Sequence, residues 1–199
     1  MDLRRRAAWA GMSCILASAL FAPAIAQDKK WAIGTPRQNW AHTDGVVNMQ
    51  PGTVIAPQSL ADRAMIADAF ARWGIGYDEG KLDVIRALFP ADGELDVLEA
   101  SAKPLQTLKG IDTIIKNVVS DRAKQNDQRR HAISNVVIDR LSGTSATAIA
   151  YGVVTAAGGG ELYLGATVIY RGDMKKMPDG TWRFARLVIG MDAYRRAAK

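Results

Sequence analysis

The chain has 199 residues, with 26 Lys and Arg against 20 Asp and Glu, two histidines, one cysteine and a formal charge of +6. Its basic residues are scattered, with small clusters at Lys175-Lys176 and from Arg195-Arg196 to Lys199. A nucleic-acid binder shows a basic stripe with interleaved aromatics, so a nucleic-acid partner is not expected. With Cys14 the only cysteine, a disulfide framework and a cysteine-based metal centre are excluded.

The N-terminus reads as an export signal. Arg4, Arg5 and Arg6 form a basic region, an apolar stretch runs from Ala7 to Ala22, and Ala24-Ile25-Ala26 offers a small-x-small cleavage site before Gln27. The apolar stretch is short for a span of roughly 20 residues, so no stable membrane insertion is expected after signal removal. A retained anchor and a twin-arginine route stay open. Loss of the three arginines and Asp2 takes two units from the charge, leaving +4. The expected location is the periplasm of a bacterium, or outside the cell.

Residues 27–58 carry Pro36, Pro51 and Pro57, several glycines and no sustained period, and read as an irregular arm. Trp31 and Trp40 are expected to dock on the domain, because large indoles seldom stay solvated. His42 reads as a loop residue. A domain is expected over residues 59–191, and a basic tail over 192–199. Ser59 is placed to cap a helix and Asp62 to face its positive end. Ile66, Phe70, Trp73 and Tyr77 then recur at spacings of four, three and four, one face of an amphipathic helix, with Gly80 as its stop. Leu82 to Phe89, closed by Pro90, predicts a second helix, and Glu94 to Leu98 a short strand. Gly110 to Lys124 predicts a third helix. Ala132–Leu141, Ala146–Thr155, Glu161–Arg171 and Thr181–Ile189 are β-rich runs parted by Ser-Gly-Thr, Gly-Gly-Gly and Pro-Asp-Gly turns. Links this short favour antiparallel pairing. Helices first and strands after give an α+β fold, with helices on one face of a curved sheet.

His131 stands out because an ordinary imidazole titrates near pH ~6.5, where few other side chains exchange protons. Period two puts Arg129, His131, Ile133, Asn135 and Val137 on one strand face, and Ala132, Ser134, Val136 and Ile138 on the other. Asp78 follows the apolar helix face by one position and meets the negative end of the helix dipole, so it is either solvated in a polar turn or held by a partner. An imidazole would be such a partner, oriented by the carboxylate at one nitrogen and acting as base through the other. His131 can equally be a structural histidine at a strand end.

Several stretches resemble the SnoaL-like branch of the nuclear-transport-factor-2-like superfamily. They are Phe70-Ala-Arg-Trp-Gly-Ile-Gly-Tyr-Asp-Glu-Gly with Leu82 to Phe89, Leu108-Lys-Gly-Ile-Asp, Arg130-His-Ala-Ile-Ser-Asn-Val-Val-Ile-Asp and Asp179-Gly-Thr-Trp-Arg-Phe. The resemblance covers Ser59 to Met191. It implies a cone: three N-terminal helices packed in a strongly curved, mainly antiparallel sheet around an apolar pocket, often dimerising through the outer sheet face. Scytalone dehydratase and hexachlorocyclohexane dehydrochlorinase, enzymes of this shape, pair an aspartate near the end of the first helix with a histidine at the start of a strand. Asp78 and His131 occupy the matching places. The dehydratase has a second pocket histidine that this chain lacks, and the dehydrochlorinase has a lysine where this chain has Trp73.

Trp73, Tyr77, Phe89, Tyr151, Tyr163 and Trp182 are candidates to line a pocket. Trp73 and Tyr77 are kept because they flank Asp78. Asn135 is a candidate to bind a substrate oxygen, and Arg186 to reach the pocket from the last strand. No nucleotide, metal or nucleophile motif is found; Gly158-Gly159-Gly160 reads as a hairpin turn. Two functions follow: a cofactor-free lyase or isomerase of the dehydratase type using His131 and Asp78 on a small apolar or aromatic molecule, or a non-catalytic ligand-binding or dimeric assembly module of the same fold.

Overall fold

In the computed structural model, which describes residues 49–52, 54–99 and 104–194, the chain passes from helices to strands where its hydrophobic period changes. The expected signal segment, Trp31, Trp40 and His42 lie outside the described residues, as does the end of the basic tail. Helix α1 spans Leu60–Asp78 and buries Ile66, Phe70 and Trp73, the face that periodicity predicts. Helix α2 is Leu82–Ala87 and helix α3 is Ile111–Ala123. Among the described residues, no helix is long and apolar enough to cross a membrane.

Six strands follow the order β2-β1-β6-β5-β4-β3 in one sheet: β1 (Glu94–Glu99), β2 (Gln106–Lys109), β3 (Gln128–Leu141), β4 (Ser145–Gly158), β5 (Glu161–Lys176) and β6 (Trp182–Tyr194). Strands β3 to β6 form the expected antiparallel run. Strand β1 instead lies parallel to β6, with Leu95 opposite Leu187, which the long connection through α3 and four strands permits. Strand β2 has only four residues and was not foreseen; it pairs antiparallel with β1. Gly159 and Gly160 join β4 to β5 with φ of 59° and 81°, the positive pair that a two-residue type I′ hairpin turn requires.

The core forms where α1 lies against the inner sheet face. Phe70 meets Phe184 edge to face at 5.1 Å, and Phe184 also touches Phe89 at 5.6 Å. Burying each such ring contributes about 1.5–3 kcal/mol. The outer face carries a smaller buried cluster of Leu98, Ile149, Ile169 and Val188, with Val137, Tyr151 and Val153 exposed beside it.

Two local expectations change. Ser59 lies in a 3-10 turn, Pro57–Ser59; its hydroxyl donates to the Ala56 carbonyl at 2.7 Å and makes no side-chain cap to α1. Asp62 likewise does more than face the helix dipole: Oδ1 accepts from Lys176 Nζ at 2.8 Å and from Trp182 Nε1 at 2.9 Å, fastening the start of α1 to the last hairpin. The second change lies in β3. Its pairing to β4 slips between Ser134 and Val137, where Asn135 adopts φ 53°. A bulge adds a residue on one strand and reverses the facing beyond it. Val136 and Ile138 therefore pack on the core, while Asn135 and Val137 face solvent.

The Asp62 clamp yields a pH test. The hydrogen bond from Lys176, then that from Trp182, lowers the Asp62 pKa below its ordinary 3.8. A depressed folded-state value means that the clamp's contribution is complete above the ordinary value and is lost as pH falls through the lowered one. Wild type is expected to melt above Asp62→Asn at pH 7, with the gap closing as pH drops below 3.8. Parallel melting curves at every pH would contradict the clamp.

Candidate functional site

Asp78, the last residue of α1, and His131, near the start of β3, are joined at two points. The His131 backbone N–H donates to Asp78 Oδ2 at 2.7 Å, and ring Nδ1 contacts Oδ1 at 2.5 Å. With Asp78 ionised, Nδ1 carries the proton and Nε2 is left with its lone pair. Nε2 has no hydrogen-bond partner among the described residues. The Asp78 side chain is 5% exposed and that of His131 13%, so the contact is sheltered from water.

The surroundings explain how a carboxylate is held at the wrong end of a helix. Arg122 of α3 donates to the carbonyls of Tyr77 and Asp78, the latter at 2.9 Å, placing a guanidinium at the negative pole of α1. Gly80 admits that side chain, since a Cβ there would lie 3.1 Å from the guanidinium. Gly74 does the same for His131: an added methyl would sit 3.2 Å from both Cβ and the carbonyl oxygen of His131. A side chain at that position would push the helix and β3 apart by a few tenths of an ångström.

His131 lines a cavity of about 480 Å³. Its walls are Trp73 and Tyr77 from α1, Leu95 and Val97 from β1, Val118 from α3, Val154 from β4, Val168 and Tyr170 from β5, and Ile189 and Met191 from β6. Polar side chains join them from α3, from the segment that follows it and from the start of β3: Asn117, Lys124, Gln125, Asp127 and Arg129. Tyr77 stands edge-on to the His131 ring at 5.3 Å, and its hydroxyl accepts from Gln125 Nε2 at 2.8 Å. Burial pushes the Tyr77 phenol up, with Asp121 adding to it. Asp127 accepts from Arg129 Nε at 2.9 Å and from the Tyr163 hydroxyl at 2.9 Å. Tyr170 is 1% exposed; burial first, then the charge of Asp78, drives its phenol far above the ordinary range. A second cavity of about 390 Å³ between α1, α2 and the β5–β6 turn lacks such a pair; its Asp68 is tied to Arg72.

The structure thus gathers His131, Trp73 and Tyr77 around one cavity, with Asp78 behind His131 and outside the lining, and leaves two candidates elsewhere. Asn135 sits exposed at the bulge, outside the cavity lining. Arg186 is on the outer sheet face, donating through Nε to buried Asp96 at 2.8 Å; period two alone could not settle its facing. Tyr163 and Tyr170 are cavity residues; sequence reasoning named the first without keeping it and missed the second. Alternation along β5 through Val168 would have pointed Tyr170 inward, but an inward aromatic reads first as core. Phe89 and Trp182 are core, and Tyr151 faces solvent.

A family model for the SnoaL-like domain matches residues 58–188. Among solved structures, the chain is similar to an NTF2-like protein with a cystatin-like fold from Novosphingobium aromaticivorans, at 26% identity and a TM-score of 0.60, over 67% of this chain and 84% of that one. It is similar to a protein from Catenulispora acidiphila in complex with S-DNPA, at 22% identity and 0.56, over 66% and 93%. It is also similar to ActVI-ORFA from Streptomyces coelicolor, at 19% identity and 0.56, over 65% and 97%. The last two likenesses show the fold alone. No curated relative matches the chain.

The two-point contact predicts the effect of Asp78→Asn. An amide offers one acceptor where two donors, the His131 N–H and Nδ1–H, now converge, so one must go unpaired or the ring must change tautomer. Leaving a buried donor unmade costs about 1–3 kcal/mol. Denaturant unfolding should show that loss, and nitrogen-15 NMR should show the ring proton moving from Nδ1 to Nε2. An unchanged tautomer with unchanged stability would refute the two-point hold.

Proposed function

We propose, for a chain that belongs to the SnoaL-like domain family, that it is an exported, cofactor-free lyase or isomerase of the dehydratase type acting on a small apolar or aromatic molecule. The observation that carries this reading is the 2.5 Å contact between His131 Nδ1 and Asp78 on the wall of a cavity of about 480 Å³. Asp78 orients the ring and stabilises the imidazolium, and His131 Nε2 takes a proton from a carbon beside an electron-withdrawing group. The C–H bonding pair forms a new double bond as the leaving group departs with its own pair, taking the proton back from the imidazolium as water or an acid. A positioned base contributes ~10²–10⁴-fold; orientation of the substrate against Trp73 and Tyr77 supplies more. A non-catalytic ligand-binding or assembly module predicts His131 closed off from the pocket or beyond hydrogen-bond reach of Asp78, and the place of His131 on the cavity wall together with the contact weighs against it.

The test begins with a thermal-shift screen of the mature protein against small ketones and aromatic metabolites. Each stabilising compound is then incubated in D₂O with wild type, His131→Ala and Asp78→Ala, and C–H exchange is followed by NMR. Wild type is expected to exchange or convert the ligand, and His131→Ala to slow this by ~10²–10⁴-fold. Equal rates in wild type and His131→Ala would remove the residue from the mechanism.

Location and assembly belong to the same proposal. The basic n-region, apolar stretch and Ala24-Ile25-Ala26 site support export to the periplasm, and exposed Val137, Tyr151 and Val153 beside the outer cluster support a homodimer through that face. Protein taken from a periplasmic fraction should begin at Gln27 by mass spectrometry and have twice the chain mass by light scattering. A cytoplasmic, full-length monomer would contradict both parts.

A further inference from the structure

Among the described residues, two permanent cations line the cavity, Lys124 and Arg129, and they are held differently. The Lys124 side chain is 72% exposed and reaches Asp121 at 3.3 Å, a pair out in solvent. Arg129 is gripped from behind. Its Nε donates to Asp127 Oδ1 at 2.9 Å, and the Tyr163 hydroxyl donates to Asp127 Oδ2 at 2.9 Å. The Asp127 side chain is only 5% exposed. It packs where Gly158 has no side chain, since a Cβ there would lie 3.3 Å from Asp127 Cβ. A carboxylate held by two donors and packed this closely fixes the guanidinium by one edge.

A guanidinium carries its N–H donors in a planar fork. The Nε bond to Asp127 uses one of them, and among the described residues the Arg129 side chain donates nowhere else. Arg129 shares a strand face with His131 and Ile133; Ile133 packs on the core, and Arg129 and His131 both line the cavity. Two residues of strand separate their Cα atoms by about 6.8 Å. Burial, then Asp121, raises the Tyr77 phenol, and the charge of Arg129 opposes them. The guanidinium therefore lies on the Tyr77 side of the cavity, where the Tyr77 ring stands 5.3 Å from that of His131. The two carboxylates of the lining, Asp121 and Asp127, are each paired with a cation. An arriving anion thus meets a neutralised wall and the open edge of one fork.

We propose that Arg129 is a specificity residue of the cavity: its terminal nitrogens hold a carboxylate of the substrate, which is therefore a small apolar or aromatic acid. This rests on the functional reading above and narrows it. A carboxylate accepts two parallel N–H bonds from a guanidinium, and such a pair fixes direction as well as position. The separation of about 6.8 Å along β3 leaves a few bonds between the anchored carboxylate and the carbon that faces His131. Because Asp127 already holds the guanidinium, little further rotamer freedom is lost when the acid binds.

Two probes of one shape test this at neutral pH: 2-naphthoate, an anion, and 2-naphthamide, which is uncharged. Both are titrated into wild type, Arg129→Gln and Arg129→Lys. Wild type should bind naphthoate more tightly than naphthamide. Arg129→Gln should lose roughly 10- to 100-fold for naphthoate, as expected for hydrogen bonds to a charged group, with naphthamide unchanged. Arg129→Lys, which keeps the charge but not the planar fork, should fall between the two. Equal binding of both probes by wild type, or equal naphthoate affinity in wild type and Arg129→Gln, overturns the arginine assignment and leaves the cavity and its base standing. Equal loss of both probes with a lower melting temperature assigns Arg129 to bracing Asp127 and also overturns it. Should Arg129→Gln fail to fold, Arg129→Lys decides: a reduced preference for naphthoate supports the fork, and an unchanged preference overturns it. If wild type binds neither probe, the ligand cavity and the anion site fall together.

Discussion

The arrangement around the cavity depends on one contact, the grip of Asp78 on His131. Two hydrogen bonds from one residue fix more than a distance. The backbone N–H bond sets where β3 lies against the end of α1, and the Nδ1 bond sets the plane and tautomer of the ring. A carboxylate at the C-terminus of a helix would ordinarily be disfavoured by a few tenths to about 1 kcal/mol. Arg122 offsets this by binding the last carbonyls of the helix, so α1, α3 and β3 all meet at a single charged knot. Loosening any member would release the others, which couples local stability to the geometry of the site.

Around that knot the cavity is divided by polarity. The sheet and α1 present Trp73, Leu95, Val97, Val154 and Ile189, while α3 and the segment leading into β3 present Asn117, Lys124, Gln125, Asp127 and Arg129. Several of these polar groups are already paired: Asp127 ties Arg129 to Tyr163, and Gln125 ties itself to Tyr77. Paired side chains lose little further rotamer entropy when a ligand arrives, so the polar side acts as a built rim.

Much of this was legible in residue spacing. Ile66, Phe70, Trp73 and Tyr77 announced one buried helix face, and the glycine turns separated the long strands correctly. The aspartate and histidine could be nominated from their positions at the edge of an apolar face and at a strand start. What escaped was set by tertiary partners. Strand β2 has four residues and exists because β1 pairs with it. The bulge at Asn135 overrode period two, because an extra residue on one strand leaves no mark in composition. Arg186 and Tyr170 are both polar groups on strands, yet Asp96 draws one to the outer face, and the gap at Gly152 draws the other across the inner one.

That last contrast identifies how the site was made. Three of its essential close approaches occur where a side chain is missing: Gly74 beneath His131, Gly80 beside Arg122 and Gly152 beneath Tyr170. A glycine inside a helix costs about 1 kcal/mol relative to alanine, and Gly74 stands mid-helix in α1. Intrinsic helix stability is thus given up where it lets the helix sit against β3 at the depth the Asp78 contact needs. The large buried rings of Phe70, Phe89 and Phe184 lie in the same core, and their burial outweighs that local cost. The fold is strongest where the rings pack and is locally weakened where His131, Arg122 and Tyr170 each pass close to a neighbouring backbone.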